Sequence, residues 1–126
     1  MNQTDSLHEM FELRQAFMKR LQQIKPGEYP EWPINVGDKK SQQHVRDMAL
    51  RGVEEMFEAL QHLKNWKPHR DTQNGEFNRD EFVEEMVDAF NYFLSVLVLV
   101  GVDASELFNA YKTKDNIIHS RLDNGY

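Results

Sequence analysis

Apolar residues return every third or fourth position through four stretches of this chain, with breakers between them, and that spacing admits helices burying one face each while leaving no strand alternation. The first stripe is Leu7, Met10, Phe11, Phe17, Met18, Leu21 and Ile24. It stops at Lys25-Pro26-Gly27, and Pro30, Pro33 and Gly37 keep the segment to Lys40 an ordered, irregular loop in which Tyr29, Trp32 and Ile34 pack. A second helix is expected from Ser41 to about Asn65, through Val45, Met48, Ala49, Gly52, Met56, Ala59, Leu60 and Leu63. After a polar stretch, Lys67 to Gly75, with Pro68 and Asn74-Gly75, Asn78 and Glu81 form a capping box that opens a third helix running to about Val100. Gly101 stops it. Asp103 with Glu106 repeats the capping pattern and starts a fourth helix that is expected to end near His119. The fold class is therefore all-α, a four-to-five-helix bundle in one domain, residues 1–126.

Helix three departs from a one-sided stripe, because Phe93 to Val100 is apolar nearly all round. Such a helix is covered on more than one side, and in so small a domain the surplus points to a homodimer or homotetramer interface, with Val98 off the main stripe as an interface residue. The bland alternative is a bundle centre.

The chain holds 126 residues, with 15 basic against 21 acidic side chains and a net charge of −6. With 40% hydrophobic and 29% charged residues it reads as a globular domain rather than a disordered one. It has no cysteine, which excludes disulfides, thiolate zinc sites and thiol nucleophiles and leaves oxygen ligands and imidazole to carry any chemistry. The start, MNQTDSLHEM, lacks a signal peptide's basic end and apolar run, and Tyr92 to Val100 is too short to span a bilayer, so a cytoplasmic protein with no membrane partner is expected.

The acids carry the functional signal. At about 100° per residue, Glu55 and Glu58 share a flank of helix two beside its apolar stripe, with Arg51 and His62 on the same side, while Glu54 points away to solvent. On helix three Glu81, Glu85, Asp88 and Tyr92 line the edge of the stripe and Glu84 lies further round. Antiparallel packing of the two helices would bring the pairs Glu55/Glu58 and Glu85/Asp88 to one cleft. A solvated acidic face is the usual meaning of such runs, but here two pairs border packing faces. From Glu54 to Asp88 ten acids also meet only Lys64, Lys67, Arg70 and Arg79. Four carboxylates repel unless a cation sits between them, and hard oxygen ligands suit Mg²⁺, with Mn²⁺ as substitute, together with substrate phosphates. Lys112, Lys114 and Arg121 follow the acids, supplying phosphate cations or, more simply, charges that complement a helix C-terminus.

Taken in order, Glu55-x-x-Glu58, Trp66-Lys67-Pro68, Glu85-x-x-Asp88, Gly101, Tyr111-x-x-Lys114 and Arg121-x-x-x-Gly125-Tyr126 resemble the all-α nucleoside triphosphate pyrophosphatases. Dimeric dUTPases and phage dCTP/dUTP pyrophosphatases look nearest, with MazG-type enzymes more distant, over roughly Val45 to Tyr126. The resemblance implies hydrolysis of a (deoxy)nucleoside triphosphate to the monophosphate and pyrophosphate. It implies Glu55, Glu58, Glu85 and Asp88 as Mg²⁺ ligands, with Glu55 and Glu58 catalytic and Glu55 orienting or deprotonating the attacking water. Lys114, Asn116, Arg121 and Tyr126 fall where the family holds the phosphates, with Trp66 and Lys67 as further substrate contacts; Trp66 equally reads as a cap on the core. The resemblance to phage enzymes also covers a phage-encoded chain acting in a host cytoplasm.

Three positions depart from the family pattern. Ile118 stands where an Asn precedes the Arg by three, Asn91 stands where relatives carry His, and Gln15 is followed three residues on by Met18 rather than Asn. The base is therefore open: a pyrimidine, dUTP or dCTP, comes first, and a purine such as dGTP is the rival. The five histidines form no H-x-x-x-H pair, which argues against zinc, and no Gly-rich phosphate loop or G-x-S-x-G elbow occurs. An acidic chain without a basic stripe does not suit duplex nucleic acid. Outside catalysis, the alternative is a helical module that self-associates through helix three and leaves its acids solvated.

Overall fold

The computed structural model describes residues 5–72 and 76–125, and among them it contains four α-helices and no strand. These are α1 (Ser6–Ile24), α2 (Lys39–Leu60), α3 (Arg79–Leu99) and α4 (Ala104–Asp123). Residues 1–4, residues 73–75, with Asn74-Gly75 among them, and Tyr126 lie outside the described residues. No single described helix is long and apolar enough to cross a membrane. The chain divides into two compact units, Met1–Ile34 with Leu97–Tyr126, and Asn35–Val96.

In the first unit α1 packs on α4. Asp5 caps α1 by accepting from the Leu7 N–H at 2.9 Å, and this bond, reinforced by His8, holds the Asp5 carboxyl below the usual range. The His8 ring joins the two helix starts, its Nδ1 3.3 Å from Asp5 and its Nε2 3.1 Å from the Ser105 hydroxyl. Phe11, Met18, Leu99 and Ala104 are buried here. The breaker-rich loop packs as its sequence demands: Tyr29, Trp32 and Ile34 are half-buried, and the Ile34 N–H donates to the Leu99 carbonyl at 2.9 Å. Gly101 takes φ +83° to turn the chain out of α3, with Pro33 so close that a Cβ on it would stand 3.2 Å away.

In the second unit α2 and α3 run antiparallel. Gly52 faces Tyr92 and Phe93, whereas His62, beyond the end of α2, meets Glu85 nearer the start of α3. The helices approach closely at Gly52, where a Cβ would lie 3.1 Å from the Tyr92 Cβ and 3.3 Å from the Phe93 ring. Ala59 and Ala89, both 0% exposed, continue the close-packed line with small side chains.

Helix ends differ from the periodic reading at three places. Helix α2 starts at Lys39 because Asp38, rather than a later residue, caps it by accepting from the Ser41 N–H and hydroxyl, each at 3.1 Å. It ends at Leu60, not near Asn65, because Gln61, His62 and Leu63 donate to carbonyls three residues back and tighten the last turn. Leu63 stays in step with the stripe, so periodicity alone could not register that change. Helix α4 continues to Asp123, past His119, until Asn124 and Gly125 at φ +77° end it. The N-caps at Asn78 and Asp103 are both formed, their side chains accepting from the Glu81 and Glu106 N–H groups at 3.1 and 2.8 Å.

The assignment of Val98 to an interface is corrected. Val98 is 2% exposed and Leu99 1%, and Leu94 and Ser95 are buried with them, so the chain itself covers this girth. The exposed large apolar residues of α3 are Val83, Val87, Phe90 and, at the start of this stretch, Phe93.

Candidate functional site

The antiparallel register decides what the acids do. Glu55 and Glu58 rise on the flank of α2 that borders the packed line, and Glu85 and Asp88 descend on the matching flank of α3. Glu55 records their convergence. Its carboxyl is pushed above the usual range, first by a hydrogen bond shared with Glu58, then by partial burial, and then by the charges of Glu58, Asp88 and Glu85. Glu58, Glu85 and Asp88 are thus all within electrostatic reach of Glu55. Glu54 is exposed, as its place on the wheel requires. Among the described residues, no three carboxylate or imidazole groups already stand as a ready-made set of metal ligands.

Two further contacts shape the cluster. His62 Nε2 lies 3.0 Å from a Glu85 oxygen in a half-buried pair; an ionised carboxylate only accepts, so this ring nitrogen is the donor. Arg51, placed by the sequence on the acid flank, is instead engaged by Asp47 one turn earlier at 3.0 Å. The cluster thus lacks Arg51 as its neutralising base.

Past α2 the chain folds over a cavity of about 630 Å³ within the same unit. Phe57, Leu60, Leu63 and Trp66 form its apolar walls, and Lys64, Lys67 and Arg70 stand around it. Trp66 is 69% exposed, so it does not cap a core, and Lys67 Nζ sits 5.7 Å from the centre of its ring. Asn65 braces the segment by accepting from the Thr72 N–H at 2.8 Å.

No family model, curated protein or solved structure matches the chain. The site therefore has to be read from its own residues.

Lys114, Asn116 and Arg121 are exposed on α4 in the other unit, and Lys114 lines an open groove of about 680 Å³ with Asn109, Thr113 and Ile117. Tyr126 lies outside the described residues. Lys64 and Arg70 escaped the sequence reading, where they entered only as charges set against the acids. The signal that could have found them is a basic residue at every third position, 64, 67 and 70, interleaved with Leu63 and Trp66.

Proposed function

We propose that this protein is a metal-dependent hydrolase that converts a (deoxy)nucleoside triphosphate to its monophosphate and pyrophosphate. The observation that carries the reading is the raised proton affinity of Glu55 in the field of Glu58, Glu85 and Asp88, from two antiparallel helices. Such a field relaxes when a divalent cation replaces the proton, and an all-oxygen donor set fits Mg²⁺ or Mn²⁺. These four acids would hold the ion. Bound there, it supplies neutralisation of phosphate oxygens and a lowered pKa for water.

The remaining work falls to the chain's own groups. Glu55, whose carboxyl is pushed above the usual range, is placed to accept a proton from the attacking water. The cationic cavity beside the last turn of α2 supports a nucleotide as substrate, with Trp66 and Lys67 as contacts. Lys114, Asn116, Arg121 and Tyr126 are proposed to bind phosphate on the strength of the sequence resemblance. In this reading the chain belongs with the all-α nucleoside triphosphate pyrophosphatases, pyrimidine nucleotides come first as substrates, and a purine such as dGTP is the alternative.

The deciding experiment is Mg²⁺-dependent pyrophosphate release from the eight common ribo- and deoxyribonucleoside triphosphates. Release that requires metal and is lost in Glu58→Gln supports the reading, and no release from any of the eight refutes it.

The exposed Val83, Val87 and Phe90 on α3 favour a second property, self-association into a homodimer or homotetramer. If catalysis fails and association holds, the protein is a helical oligomerisation module.

A further inference from the structure

The cavity beyond α2 differs from a general phosphate cradle in its apolar walls, and three of its five polar side chains, Lys64, Lys67 and Arg70, are cations. Phe57, Leu60, Leu63 and Trp66 offer flat and branched surface for a planar ring, and about 630 Å³ is within the range of small-molecule pockets. Lys64, Lys67 and Arg70 can only donate hydrogen bonds. Among the described residues, no carboxylate lines the cavity and no ion pair ties these three cations to another residue. Gln61 supplies the complementary group: its Nε2 donates to the Phe57 carbonyl at 3.4 Å, which leaves its Oε1 as an acceptor at the cavity.

We propose that this cavity is a nucleobase site that selects bases carrying a carbonyl oxygen beside a ring N–H, uracil and guanine, over cytosine and adenine. The inference rests on the proposed nucleotide chemistry only in taking a nucleotide as the ligand. Uracil O4 with N3–H, and guanine O6 with N1–H, place an acceptor where Lys64 and Arg70 donate and a donor where Gln61 accepts. Cytosine and adenine put an exocyclic amino group against the two cations. There, donor faces donor, and the exposed Lys64 and Arg70 keep their water instead of gaining a base partner. Trp66, with a face open to every base, adds affinity without choosing among them. Lys64, Arg70 and Gln61 are then the specificity-determining residues.

The test is calorimetric titration of the full chain with dUMP, dGMP, dCMP and dAMP in chelator, so that binding is read without metal or turnover. Affinities for dUMP and dGMP on the order of tenfold above those for dCMP and dAMP are expected, and a Lys64→Gln, Arg70→Gln double variant should level the four while melting at the wild-type temperature. Trp66→Ala should weaken all four alike. Equal affinity for the four nucleotides would overturn the proposal and leave the cations as phosphate anchors. A preference that survives in the double variant, or no binding at all, would overturn it too. Pyrophosphate release, measured separately with Mg²⁺, tells the two readings apart. Base preference without turnover keeps the site and refutes the hydrolase, and turnover without base preference does the reverse.

Discussion

Glu55 stands one turn before Glu58 on α2, and the Glu58 side chain is the first cause that pushes the Glu55 carboxyl above the usual range. The folded chain thus binds a proton there more tightly than the unfolded chain. Stability should fall as pH rises from the ordinary value of 4.5 through the raised folded value, and recover below it. Glu55→Gln removes the penalty. Its metal-free melting temperature at pH 7 should exceed that of wild type, and the difference should vanish below the ordinary carboxylate range. Thermal melts across pH in chelator check this, and a variant less stable than wild type at pH 7 would contradict it.

With metal the order should reverse. Saturating Mn²⁺ should raise the melting temperature of wild type, by mass action on the folded state, and raise that of Glu55→Gln less. Equal shifts would place the ion elsewhere.

Catalysis should follow the acid flank rather than the acid count. Glu58→Gln and Asp88→Asn are expected to abolish pyrophosphate release while the fold persists, because each removes a ligand charge at constant shape. Glu54→Gln, on the exposed side of α2, should keep wild-type rates. Circular dichroism alongside turnover separates lost chemistry from lost structure.

Gly52→Val should destabilise the protein by about 1–3 kcal/mol, the usual cost of overpacking, since even a bare Cβ would stand 3.1 Å from Tyr92. Urea unfolding measures it. An unchanged midpoint would show that Tyr92 and Phe93 can yield.

Val98→Glu should unfold the protein rather than dissociate an assembly, because it buries an unpaired charge at a site 2% exposed. Val87→Glu, at 51% exposure, should leave the chain folded and lower the association state seen by sedimentation. A monomeric wild type at micromolar concentration would refute the assembly.

The sequence by itself determined the helices and much of their punctuation. Local chemistry sets these features: the Asn78 and Asp103 N-caps act within one turn, Gly101 takes a positive φ that other residues resist, and the three-and-four spacing of α1 and α2 fixes a buried face wherever the partner lies. It also placed Glu54 outside and Glu55 beside the packed line. What periodicity could not register was a change of hydrogen-bonding pattern that keeps the spacing, hence the early end of α2 at Leu60. Tertiary structure alone decided that Gly52 admits α3 closely enough to pair the acid flanks, that His62 reaches Glu85, and that Lys64 and Arg70 border a cavity with Trp66. It also decided that the residues around Val98 are covered within the chain. These depend on the distance and register between segments far apart in sequence, which residue spacing along one helix does not encode.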